Sequence, residues 1–110
     1  MSYQHKNLAA GRWEQLSFPE QMANIGGEVE RALNWRMKNN AEYSLRAFER
    51  ALELLDLTLG SITTFARLRE VARTREAIAD YFAGTNQFKS TDASWRKYFL
   101  PFAYAVRSRH

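Results

Sequence analysis

The stretch AEYSLRAFERALELLDLTL, Ala41 to Leu59, reads as α-helix from end to end and constrains the chain more than any other. Leu45, Phe48, Leu52, Leu55 and Leu59 recur at steps of three and four, which places them on one side of a helix. Ala47, Ala51 and Leu54 widen that side to about half the circumference at roughly 100° per residue. Glu42, Arg46, Glu49, Arg50 and Glu53 fill the other side. An apolar arc that wide suits a helix touched by two or three others.

The flanking sequence supplies the others. Ser17-Phe18-Pro19-Glu20 is a helix start: a serine cap, a proline in the first turn and Glu20 three residues on, as in a capping box. From there Phe18, Met22, Ile25, Val29, Ala32 and Leu33 form a stripe to about Lys38, with Arg36 near the negative end of the helix. Gly26-Gly27 interrupts the stripe and predicts a kink or a close helix–helix approach. Asn39-Asn40 ends this helix and caps the next, and Gly60 is expected to close that one in the left-handed conformation.

A third helix runs to about Ala83, with Phe65, Leu68, Val71, Ala72, Ile78, Ala79 and Phe82 as its stripe. Gly84 to Ser90 is a loop, with Phe88 as a lid for one end of the core. Thr91 or Asp92 opens a fourth helix whose inward side is Trp95, Tyr98, Phe99, Phe102, Ala105 and Val106. Pro101 removes a backbone donor and crowds the carbonyl of Lys97, so that helix should bend or break. Short connections favour antiparallel neighbours. The expected fold is therefore all-α: an up-down-up-down four-helix bundle over residues 17–110, a loose arm over 1–16 and a bend at Pro101.

Composition removes several classes of function. With no cysteine, there are no disulfides, thiolate metal sites or thiol nucleophiles, as suits a cytoplasmic protein. No apolar run approaches the ~18 residues of a membrane span, so no membrane partner is expected. The two histidines, His5 and His110, stand at the ends, and no Ser-His-Asp set or helical metal motif can be assembled from them. No catalytic residue, cofactor or metal site is expected.

Three anomalies remain. Arg75 projects into the apolar arc of the third helix, where a guanidinium needs a partner; Asp56 is the first candidate and Glu28 the second. The two readings are a buried structural ion pair, Arg75 with Asp56, or an inward anion site. Trp35, Leu57, Leu100 and Tyr104 project away from the inward stripes and make a candidate surface for self-association or a protein partner. The net charge of +4 is concentrated in the last quarter, where Lys89, Arg96, Lys97, Arg107 and Arg109 face Asp92 alone. Arg96, Lys97, Arg107 and Arg109, with Arg69 and Arg73 of the third helix, are candidates for nucleic-acid phosphates.

At RALELLDLT (Arg50 to Thr58) and TREAIADYFAG (Thr74 to Gly84) the chain resembles a group of small uncharacterised prokaryotic helical-bundle proteins. More distantly it is similar to HEPN-type bundles and to S23-type four-helix accessory proteins, which oligomerise and assist nucleic-acid enzymes. HEPN ribonucleases carry an Arg and a His separated by four to six residues. In Arg107-Ser108-Arg109-His110 only two residues intervene, so the resemblance implies a non-catalytic member. The acidic sets Glu49, Glu53, Asp56 and Glu76, Asp80 are similar to those of magnesium-dependent nucleotide pyrophosphohydrolases, but only Glu53 with Asp56 keeps that family's spacing. The leading expectation is a non-enzymatic interaction module that self-associates or docks on a protein. A basic nucleic-acid-binding accessory protein is the alternative, and a HEPN-related ribonuclease or a magnesium-dependent phosphohydrolase comes last.

Overall fold

A computed structural model describes residues 11–108. Among them are four helices and no strand: α1 (Phe18–Met37), α2 (Ala41–Ser61), α3 (Phe65–Ala83) and α4 (Asp92–Arg107), preceded by a 3-10 turn at Trp13–Gln15. No helix is long and apolar enough to cross a membrane.

The starts follow local chemistry. Ser17 and Glu20 form the full capping box of α1: the Ser17 hydroxyl accepts from the Glu20 amide and the Glu20 carboxylate accepts from the Ser17 amide at 3.0 Å. Asn39 turns the chain at φ 61°, a left-handed conformation that asparagine tolerates. Asn40 then caps α2 by accepting from the Tyr43 amide at 3.1 Å. Thr91 and Ser94 make a second box at the start of α4.

The core is one cluster. Met22, Ile25, Val29, Ala32 and Leu33 of α1 meet Ala47, Phe48, Ala51, Leu54 and Leu55 of α2, with Val71 and Ile78 of α3 and Trp95 and Phe99 of α4 closing it. At Gly26 α1 and α4 come close: a Cβ there would lie 2.9 Å from the Phe99 side chain. Both glycines sit inside an unbroken helix, so the close approach is the outcome at this pair.

Several expectations need correction. Gly60 does not end α2 in a left-handed turn; the helix continues through Ser61, whose hydroxyl donates to the Thr58 carbonyl, and Ile62 leaves in extended conformation. The buried face of α3 is Val71, Thr74 and Ile78, while Phe65, Leu68 and Ala72 are exposed. Thr74 tolerates burial because its hydroxyl lies 2.9 Å from the Glu70 carbonyl oxygen. Phe88 lids nothing and is exposed beside α3 and α4. Leu45 of α2 is exposed as well, which turns the buried centre of that helix toward Ala51 and Leu55.

α4 runs unbroken through Pro101. The proline stands on the exposed side, where the Lys97 carbonyl it frees can meet water. The arm is not loose from Trp13 onward. Trp13 is buried, its indole donates to Thr58 Oγ1 at 2.9 Å, and the Gln21 side-chain amide donates to its carbonyl at 3.0 Å. Residues 1–10 of that arm lie outside the described residues, as do Arg109 and His110.

Candidate functional site

The expected ion pair of Arg75 with Asp56 forms, at the rim of the apolar arc. Arg75 Nε donates to Asp56 Oδ1 at 2.7 Å, but the two side chains are 37% and 49% exposed. The buried face of α3 is centred on Thr74 and Ile78, so Arg75 lies at its edge, where the guanidinium stays hydrated. The shielded carboxylate is Glu28. It is buried on α1 and takes Arg50 Nε of α2 at 2.5 Å together with Arg31 one turn on. Glu28 therefore ties α1 to α2 and leaves Arg75 to Asp56. Sequence reasoning had no signal for Arg50 as its partner, since Arg50 looks like any solvated helix residue.

The acidic residues do not converge on a metal site. Asp56 is engaged by Arg75, and Asp80 accepts from the Phe88 amide at 3.1 Å. Among the described residues no group of three or more His, Asp or Glu side chains stands close enough to hold a metal ion.

The apolar candidates divide. Leu57 is half-buried against the core, because the arc of α2 extends that far round. Trp35 is half-buried, edge-on to the Tyr43 ring at 4.9 Å, with the Lys38 ammonium 5.2 Å over its face. Leu100 and Tyr104 are bare, 60% and 67% exposed, and one turn apart on α4. Met37, Phe65, Leu68 and Phe88 are also exposed, and of these only Phe65 and Leu68 belonged to an expected core stripe.

Beside Leu100 runs a groove of about 310 Å³ between α1 and α4. Ala23, Gly26 and Gly27 of α1 and Ala103 of α4 are its small lining residues, beside Phe99, Trp95, Val29 and Leu33 and the paired Glu30 and Arg96. A Cβ at Gly27 would meet nothing within 4 Å, so the missing side chain leaves open space there. The glycine pair thus serves two ends: Gly26 lets Phe99 in, and Gly27 keeps the groove open.

The basic candidates do not all face one way. Arg96 turns toward α1 and donates to Glu30 at 3.0 Å, with Asn34 Oδ1 at 3.4 Å. Lys97 and Arg107 are exposed on α4 without an ion-pair partner among the described residues, and Arg69 and Arg73 are exposed on α3. Arg73 stands at a second, wider cleft of about 630 Å³ between α3 and α4, with Glu76, Phe88, Ser94, Trp95 and Tyr98 around it. There the Tyr98 hydroxyl donates to Glu70 Oε2 at 2.7 Å, and the Thr74 hydroxyl lies 3.0 Å from the Tyr98 oxygen. Burial, reinforced by the Glu70 carboxylate, raises the Tyr98 pKa well above the ordinary phenol range. Tyr81, bonded to Asp92 of α4, is raised as well, first by burial and then by that carboxylate. The indole Nε1 of Trp95 is buried without a hydrogen-bond partner among the described residues.

Arg36, placed by sequence near the negative end of α1, also covers two rings, Tyr81 at 4.8 Å and Phe82 at 5.4 Å. No protein-family model, curated protein or solved structure matches this chain.

Proposed function

We propose that the chain is a non-enzymatic helical module that docks on a protein partner through the exposed face of α4. The observation that carries this reading is the pair Leu100 and Tyr104, two large bare side chains one turn apart on α4, of which Leu100 lines the groove between α1 and α4. Isolated exposed apolar residues are ordinary, but two of this size on one helix face, one of them lining a concave surface, suit an interface centre. The four rods are taken to alternate in direction. Glu28 with Arg50, Arg75 with Asp56, Tyr81 with Asp92 and Phe18 with Phe102 are the pairings that support this order. A bend of α4 at Pro101 would turn its last turn along the same groove.

A photo-crosslinking residue at position 104, in cells that normally make the protein, tests the reading. One discrete adduct is expected from that position and none from position 49 on the exposed side of α2. Adducts from both positions alike, or from neither, overturn it.

Nucleic-acid binding through Arg69, Arg73, Lys97 and Arg107 is the second reading, supported by the exposure of those four cations, which have no ion-pair partner among the described residues. It is the weaker of the two because Arg96 is already held by Glu30. A gel shift on mixed RNA and DNA at two salt concentrations decides it, since phosphate contacts weaken steeply with salt.

A further inference from the structure

Resting on the docking reading above, we infer that the occupant of the exposed α4 face, which Leu100 joins to the α1–α4 groove, is an acidic amphipathic helix of another protein, not a second copy of this chain. Lys97 lies one turn before Leu100 and Arg107 one turn after Tyr104, so the apolar pair is bracketed by cations along one side of α4. The acids at hand are already engaged: Glu30 holds Arg96 and Asp92 accepts from the Tyr81 hydroxyl. Lys97 and Arg107 find no carboxylate among the described residues. What completes this surface is an apolar ridge flanked by negative charge.

The same positions argue against self-pairing. A two-fold dimer must use one patch on both copies. Setting Leu100 against Tyr104 of an antiparallel second α4 sets Lys97 against Arg107 of that copy, and the symmetry repeats the clash. A parallel pairing places each cation on its own counterpart. Like charges brought face to face across an interface suppress the wrong partner. A helix with Glu or Asp at those flanks turns both repulsions into attractions.

Shape favours a helix. The open space at Gly27 and the small side chains of Ala23 and Ala103 let a partner side chain seat against Phe99 while the partner backbone stays close. Leu100 and Tyr104, four residues apart, offer the matching step for an apolar stripe laid alongside α4.

The test uses three synthetic amphipathic helices of 16 residues, the length of α4. They share one leucine stripe and differ only in carrying Glu, Gln or Lys on the flanks. Titrated against the full chain, the Glu peptide should bind about tenfold or more tighter than the Gln peptide, the Lys peptide weakest, with the gap closing at high salt. Lys97→Glu with Arg107→Glu should reverse that order. Leu100→Ser with Tyr104→Ser, checked for fold by circular dichroism, should abolish binding of all three. If the serine variant binds as well as the parent, the docking reading itself fails. If it loses binding while the charge-reversed variant keeps the parent's order, only the acidic-partner inference fails. Failure of the Glu peptide to bind, a stable dimer of the free chain at micromolar concentration, or binding to anionic phospholipid vesicles in preference to the Glu peptide each overturn it.

Discussion

Gly26 of α1 lies against Phe99 of α4 so closely that a Cβ on the glycine would stand 2.9 Å from both Cβ and Cγ of that side chain. Those atoms sit near the backbone and cannot swing aside, so Gly26→Ala should force the two helices apart. Overpacking of this kind costs about 1–3 kcal/mol. Gly27→Ala meets open space and gains helix propensity, so it should stabilise by about 0.5–1 kcal/mol. Urea unfolding of the two variants should move the midpoint in opposite directions.

The Trp13–Thr58 bond gives a second test. Both residues are buried, and the indole N–H donates to Thr58 Oγ1 at 2.9 Å. Thr58→Val keeps the shape and removes the acceptor, leaving a buried donor unpaired at a cost of about 1–3 kcal/mol. Trp13→Phe in the same background should recover part of that loss, because it removes the stranded donor. If the double variant is no more stable than Thr58→Val alone, the bond does not anchor the arm.

Most features set by local chemistry were legible in the sequence, the Gly60 helix end excepted, and features set by the reach of a neighbour were mostly not. The Ser17–Glu20 box, the Asn39 turn with the Asn40 cap and the close approach at Gly26-Gly27 all follow from residue types at fixed offsets. Phe65 and Leu68 have helical spacing too, but spacing says which residues share a side, not how far another helix extends over them. α3 is covered only from Val71 onward. Arg75 misled for the same reason: with the buried face recentred on Thr74 and Ile78, it moves to the rim and meets Asp56 in water. Of the candidate docking residues, Leu100 and Tyr104 were readable because α4 has a clear inward stripe, from Trp95 through Phe99 to Phe102. The groove that Leu100 lines was not, since it depends on which α1 residues face α4.

The two inter-helix ion pairs should respond unequally to substitution. Arg75→Met leaves Asp56 half in water, and exposed pairs contribute only about 0–1 kcal/mol, so its unfolding midpoint should scarcely move. Arg50→Met takes a charge-assisted bond from Glu28, whose side chain is only 10% exposed. Hydrogen bonds to charged groups contribute about 1.5–3 kcal/mol, and the retained Arg31 contact should keep the loss toward the lower end. A larger loss from Arg75→Met than from Arg50→Met would reverse the roles assigned to the two pairs.

Alkaline pH should loosen the seam between α3 and α4. Burial and the Glu70 carboxylate raise the Tyr98 pKa, and burial and Asp92 raise that of Tyr81. A phenol whose folded pKa is raised contributes stability that is fully present below the unfolded value, near ~10. Above that value the unfolded chain releases its protons while the folded chain holds them, so stability falls as pH climbs toward the folded pKa. Tyr98→Phe removes one of these groups and should flatten the decline of unfolding free energy above that value, although it forfeits the Glu70 and Thr74 contacts at neutral pH. Glu70→Gln keeps an acceptor but removes the charge, so Tyr98 should ionise earlier in an ultraviolet phenolate titration than it does in the parent chain. An unchanged titration in Glu70→Gln would mean that Glu70 does not hold the Tyr98 proton, and the polar link between the two helices would have to be drawn through Thr74 alone.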